Sequence, residues 1–425
     1  MKTLYSSLEH KIASYLGMFP QLKKFIKYIY SWVFYIVKKK KITCKSAYII
    51  KTVLNNVNDE YFFGYYDKSP ANKNNLIICH KIETNTNHIP KHNSRVNISI
   101  VSHYTQEELF KLGSIAYNWQ QGSRAHWLNN DLLIYNDFNI KARKYNAIVF
   151  SVSEQKEICR YPFPVQDSFN YNYFLSINYR RLLTLQPEYG YRNLPPMKNS
   201  ELRDTKNDGI WKIDFKSGSS ILLISLDQMC NIEPRHEFIK AKHFVNHVMI
   251  SPSGDKFIFI HRYIIKNMRY DRLLIAKSNG SEVKLVADYK MVSHCFWINE
   301  NHIICYLKGP NKDNAYWIIN VQNNEYKKFA NGVLDKYGDG HPHVHGDWFV
   351  TDTYPDKARI QYLLLANLKS GEVTKLGEFY HGLKYRNENR CDLHPRFAPD
   401  GNSVFIDSVF SGRRKLYRLF LSNNK

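Results

Sequence analysis

Short apolar runs separated by turn signals recur along this chain, and their period is its most informative property. Leu76-Ile77-Ile78-Cys79, Leu132-Leu133-Ile134-Tyr135, Phe257-Ile258-Phe259-Ile260, Ile303-Ile304-Cys305-Tyr306, Trp348-Phe349-Val350 and Val404-Phe405-Ile406 each follow a polar turn, such as Ser251-Pro252-Ser253-Gly254-Asp255 or Ala398-Pro399-Asp400-Gly401. Runs this short, bounded by Gly, Pro, Asn and Asp, predict strands. Outer strand pairs follow in each unit, closed by reverse turns as at Asn279-Gly280 and Ser370-Gly371. A fixed period of roughly 40 to 50 residues with several strands per repeat is the signature of a β-propeller, one repeat per blade. The units fall at about 60–115, 116–164, 165–230, 240–290, 291–331, 338–380 and 390–422. The expected fold is therefore all-β, a seven-bladed β-propeller over residues 55–425 behind a basic amphipathic helical extension over 1–54. The stretch 186–208 reads as a loop inserted over one face, and 261–272 as a long cationic and aromatic connection.

A column of residues stands four positions ahead of each turn. It reads Tyr65, Arg124, His247, His294, His341 and His394. The innermost strand of every blade lines the central channel, so equivalent positions in successive blades form a ring. These six side chains are expected to face one funnel. Around Gly338-Asp339-Gly340-His341-Pro342-His343-Val344-His345, strand alternation predicts that His341, His343 and His345 share a face. Converging with His294, they would make a site for a divalent ion such as manganese or zinc. His247, Arg124 and Tyr65 are the catalytic candidates, and Tyr66, Lys68, Arg262, His394 and Arg396 the substrate-binding ones. Asp255 and Asp400 need only turn chemistry.

Composition narrows the possibilities. Aromatic residues make up 15 % of the chain, which suits packed sheets. The seven cysteines show no C-x-x-C spacing, which predicts a reducing compartment and neither a disulfide framework nor a cysteine-based zinc site. The net charge is +22, and residues 10–58 carry ten lysines with no acid. Such a protein is drawn to polyanions: acidic glycans or anionic lipid. No nucleic-acid-binding module accompanies the charge, so nucleic acid is not expected as a partner. The apolar part of 22–41 is about half of the roughly 20 residues a bilayer span needs, and its lysine flanks fit a helix lying in the headgroup region or capping the propeller. The expected location is cytoplasmic, peripheral at the inner face of the cell membrane. P-loop, Rossmann, H-E-x-x-H and G-x-S-x-G motifs are absent, which disfavours those enzyme classes.

Phe62-Phe63-Gly64-Tyr65-Tyr66-Asp67-Lys68-Ser69-Pro70, His247, His294, His341-Pro342-His343-Val344-His345 and His394-Pro395-Arg396-Phe397-Ala398-Pro399-Asp400-Gly401 together resemble the oligogalacturonate-lyase family of seven-bladed propellers. The resemblance covers about residues 55–422. It implies β-elimination on a uronate-containing glycan, with a divalent metal, typically manganese, on His294, His343 and His345. The family's glutamine ligand has Gly340 at its place, with His341 beside it. The resemblance gives His247 the role of base and leaves its arginine partner open among Arg124, Arg235 and Arg262. Propellers with a Gly-Tyr-Tyr-Asp-Lys-Ser-Pro segment also resemble products of bacterial surface-polysaccharide clusters. That implies an alternative, a glycosyltransferase-like assembly protein acting on lipid-linked glycan. A third reading is a non-catalytic propeller that binds glycan or protein.

Overall fold

The computed structural model describes residues 43–56, 58–83 and 85–421, together with seven positions between 26 and 37. Most of the basic extension expected over residues 1–54 lies outside these. Seven antiparallel sheets radiate from a central axis, six four-stranded and one five-stranded among the described residues, so the expected blade count stands. In blade 4, for example, Lys242–Ile250, Lys256–Ile265, Met268–Lys277 and Lys284–Lys290 follow one another from axis to rim. The middle strands carry continuous apolar runs because neighbouring blades cover both faces. Phe257, Ile258, Phe259 and Ile260 are at most 1 % exposed. The long connection expected over 261–272 is instead the extended tip of this blade's central hairpin, paired from His261↔Arg272 to Ile265↔Met268.

The ring is closed by the N-terminal segment. Ile50–Thr52 pairs antiparallel with Lys415–Phe420 as the outermost strand of blade 7, and Cys44–Lys45 adds a fifth strand to blade 6. Propeller residues thus begin ahead of position 55. A β-sheet edge left open is a liability, and pairing the two ends of the chain covers the outer edge of Lys415–Phe420.

Carboxylates latch the blades together at the funnel edge. Asp407 of blade 7 accepts from the Phe63 and Gly64 amides of blade 1, each at 2.9 Å. Asp352 of blade 6 accepts from the His394 amide of blade 7 at 3.0 Å, Asp167 of blade 3 from Ile250 of blade 4 at 2.7 Å, and Asp271 of blade 4 from Val292 of blade 5 at 3.3 Å. Gly64 is obligatory at its position: φ is +119°, and a Cβ there would stand 2.7 Å from the Gln121 carbonyl carbon.

The insertion in blade 3 spans 178–208 and starts with a helix, Tyr179–Leu185, whose N-cap Asn178 accepts from the Arg180 and Arg181 amides. Cys295 and Cys305, directly opposite on adjacent strands of blade 5, are joined as a disulfide. It links strands already paired by hydrogen bonds, so it is no framework for the fold.

Candidate active site

Three of the six column positions share an unusual backbone. Arg124, His247 and His394 have φ of 55°, 52° and 43°, a left-handed conformation rare outside glycine. At His247 and His294 the ladder shifts register, with breaks between Asn246 and Met249 and between Val292 and His294. These irregularities turn the column side chains out of the pleat and into the funnel.

There the imidazoles of blades 4 to 7 form a continuous chain. Ring centroids are 5.2 Å apart for His247 and His294, 4.1 Å for His294 and His341, and 4.3 Å for His341 and His394. Tyr65 and Tyr66 fill the centre. The Tyr65 hydroxyl bonds His247 Nδ1, and its ring lies 5.3 Å from that of His394. Tyr66 donates to the Cys295 carbonyl at 2.9 Å and lies 5.6 Å from His294 and 5.4 Å from His341, ring to ring.

Each imidazole is oriented by a definite partner. His394 Nδ1 donates to the Gly64 carbonyl at 2.7 Å, and His341 Nδ1 to Asp352 at 2.8 Å. The Nε2 atoms of both rings are buried and bond to no protein group. A ring whose Nδ1–H is held by a carbonyl or carboxylate while Nε2 stays open is the arrangement of a metal-ligating histidine. Ligand atoms of His341, Asp392 and His394 lie within 4.8 Å of one another. His294 stands beside them, its Nδ1 3.3 Å from Asp339. The donor set of imidazole nitrogens and carboxylate oxygen suits manganese or zinc. Position 340 admits no ligand side chain, because a Cβ there would meet the Asp352 carbonyl oxygen at 2.0 Å.

Burial holds His247, His394 and His294 below the ordinary histidine range, helped by neighbouring cations and imidazoles. Burial also works against a charge on His341, but Asp352, Asp392 and Asp339 outweigh it and its pKa is raised. Three neutral imidazoles thus adjoin one that favours its proton.

Three of the other sequence candidates are spent internally. Arg124 is locked by two bonds to Asp67 at 2.9 and 2.7 Å, both side chains buried, although its guanidinium still lies over the Tyr65 ring. Lys68 pairs with buried Asp167 at 2.5 Å. Arg396 is fully buried, holding the Gly64 and Tyr65 carbonyls and Asp407. Arg262 reaches the funnel side while paired with buried Asp271 at 3.3 Å: its charge acts on His247, and its Nη1 donates to Gln186 Oε1 at 2.7 Å. Arg235 lies elsewhere, paired with Asp288 and Tyr263.

His343 and His345 correct the expected ligand set. They belong to the strand His343–His345 and pack against aromatic rings, His343 at 4.5 Å from Phe296 and His345 at 5.6 Å from Phe397. Neither belongs to a group of three or more potential ligands among the described residues. Strand alternation fails because His341 precedes the strand, in a segment pinned by Asp352 to its amide at 2.9 Å.

The sequence reading missed Asp339 and Asp392, although each lies two residues ahead of a funnel histidine, in Asp339-Gly340-His341 and Asp392-Leu393-His394. Tyr189, Tyr354 and Arg390 were also missed, since loops outside the repeat deliver them. Tyr189 lies 5.9 Å from His247 and Tyr354 5.7 Å from His341, ring to ring, while the Arg390 guanidinium sits 4.7 Å from the Tyr354 centroid. Arg390 also lines an open cavity of about 740 Å³, with Glu188, Lys384 and Arg386 among its other walls.

No family model matches the chain, and no curated protein matches its sequence. Among solved structures it is similar to an oligogalacturonate lyase in complex with manganese, with a TM-score of 0.60 and 14 % identity over 91 % of this chain and 98 % of that one. The oligogalacturonate lyase of Vibrio parahaemolyticus matches with the same score and identity over 91 % and 99 %. The chain therefore has the seven-bladed propeller fold of the oligogalacturonate lyases.

Proposed function

We propose that this propeller acts on an acidic, uronate-containing glycan by metal-assisted β-elimination. The observation that carries the reading is the run of four buried imidazoles from successive blades, two of them with an oriented ring and an unpartnered Nε2. The neighbour described as a manganese complex shares the fold and supports the same chemistry.

His341 and His394 would hold the metal, with His294 and Asp392 at its edge. When bound, a divalent cation neutralises the uronate carboxylate and makes the adjacent carbon acid removable. Arg262, held in place by Asp271, would offer its guanidinium as a donor on the same side, where negative charge develops. His247, neutral near pH 7, accepts the proton alpha to the carboxylate. The electrons of that C–H bond form the new double bond as the β carbon–oxygen bond breaks. Tyr65, bonded to His247, is placed to return a proton to the departing oxygen. The cavity beside Arg390 has Lys384 and Arg386 in its wall against Glu188 and Glu388, a polar lining that would suit a glycan chain.

The test is incubation of the full chain with oligogalacturonate and manganese while following the near-ultraviolet absorbance of an unsaturated uronate. Absorbance should rise in the wild type and stay flat in His247→Ala. A flat wild-type trace across several uronate polymers, each shown to bind, would reject elimination.

One observation favours the second reading, glycan assembly beside a membrane. Ile26, Ile29, Trp32, Val33, Ile36 and Val37 are helical and between 40 % and 73 % exposed, in a stretch rich in lysine. This is the composition of an interfacial helix. No helix of the described residues is long and apolar enough to cross a membrane. Flotation with anionic vesicles that is lost on deleting residues 1–42, together with consumption of a sugar nucleotide, would favour that reading over elimination.

A further inference from the structure

Blade 4 carries a second cluster of ligating side chains away from the funnel chain. Cys230 comes from the helix Leu226–Asn231, His243 from Lys242–Ile250 and His261 from Lys256–Ile265. Strand pairing sets His261 opposite Val245 and His243 opposite Tyr263, so the two imidazoles are diagonal neighbours on one face of the sheet. The helix lays Cys230 over that face.

The three ligand atoms crowd one point. His243 Nδ1 is 3.0 Å from His261 Nε2 and 3.5 Å from Cys230 Sγ, and all three atoms lie within 4.8 Å of one another. Zinc bonds of about 2.0 Å to nitrogen and 2.3 Å to sulfur give tetrahedral edges of roughly 3.3 Å and 3.5 Å. The cluster is thus already near the shape of a coordination face.

The proton count points the same way. His243 Nε2 donates to the Phe238 carbonyl at 2.9 Å, so its Nδ1 is a lone pair directed at the other two groups. His261 N–H and the Cys230 thiol then compete for a single acceptor in a buried space. One cation in their place would satisfy all three atoms at once. A ring nitrogen held by a backbone carbonyl is also the usual support for a ligating histidine. Burial keeps both imidazoles in the neutral form that binds metal and pushes the Cys230 thiol up to about 12, a thiol that a coordinated metal would deprotonate.

Cys230 is held in advance. Arg272 donates to the carbonyls on either side of it, Met229 at 3.4 Å and Ile232 at 2.6 Å, while its own charge is met by Asp288 at 3.1 Å. We propose that Cys230, His243 and His261 form a zinc(II) site that pins the helix Leu226–Asn231 to the inner hairpin of blade 4. Residues alternate along a strand, so the same hairpin carries His261 on this face and Arg262 on the other, toward Gln186. The site would therefore hold a funnel wall in place. It does not depend on the reaction proposed for the funnel.

The test uses the full chain, reduced and freed of metal, titrated with cobalt(II) alone. A thiolate ligand gives a near-ultraviolet sulfur-to-cobalt band that imidazoles and carboxylates do not. The expected result is one saturable equivalent showing that band, displaced by zinc, abolished in Cys230→Ser and weakened at least tenfold in affinity by His261→Ala. The band should persist in the His341→Ala/His394→Ala protein, in which the funnel ligands are removed. Absence of the band from the wild type, or its persistence in Cys230→Ser, would overturn the site. The wild-type titration decides even where a variant does not fold.

Discussion

The two sides of the funnel treat the same repeat position in opposite ways. On the side of blades 1 to 3, the charged groups are consumed: Arg124 by Asp67, Lys68 by Asp167, with both acids buried. On the side of blades 4 to 7, the position is histidine four times over, and two of the rings, His341 and His394, keep an open Nε2. A guanidinium left unpaired in so dry a place would cost several kcal/mol, so it recruits an acid. A neutral imidazole carries no such penalty and stays available. On the proposed function, the histidine side would hold the chemistry, with Tyr65 of blade 1 beside it.

That contrast can be broken in several ways, beginning with the framework side. Asp67→Ala leaves Arg124 buried without its partner and should cost about 3–5 kcal/mol in urea unfolding. His247→Ala should cost less, about 1–3 kcal/mol for the lost ring contacts and the unpartnered Tyr65 hydroxyl, and lower turnover by about 10²- to 10⁴-fold, the range of a lost general base. A large loss of stability with intact turnover in that variant would merge the two halves.

A smaller effect should appear in acid. Burial alone would raise the Asp67 pKa, but Arg124 outweighs it and the folded-state value is lowered. A depressed carboxylate contributes stability above its unfolded value of about 3.9, and that contribution fades as pH falls through the folded value. Stability should therefore drop as pH falls below about 4, with a shallower slope in Asp67→Asn. The smallest effect belongs to His345, half out of the blade beside Phe397. His345→Ala should shift stability by less than about 0.5 kcal/mol, as exposed substitutions do, and leave turnover intact.

Much of the fold was legible because each blade is a local repeat with its own turns. Phe257–Ile260 and Ile303–Tyr306 announce buried strands by apolar continuity alone. The closing strands Cys44–Lys45 and Ile50–Thr52 were not legible, being two and three residues long and defined only by partners more than 300 residues away. The funnel column was legible as spacing, since each position stands at the same offset ahead of its turn. What each side chain does there was not, because the deciding partner comes from another strand or another blade. Asp67 of blade 1 silences Arg124 of blade 2 from 57 positions away, and Asp352 of blade 6 orients His341 within its own blade and holds the His394 amide of blade 7. His343 and His345 were misread because alternation was extended past the end of a three-residue strand.

The most direct test of this division is calorimetric titration of manganese into the metal-free wild type, His341→Ala, His394→Ala and His343→Ala. Binding should fall at least tenfold in His341→Ala and His394→Ala and stay at the wild-type level in His343→Ala. Undiminished binding without the His341 and His394 rings, or its loss with His343, would contradict the account.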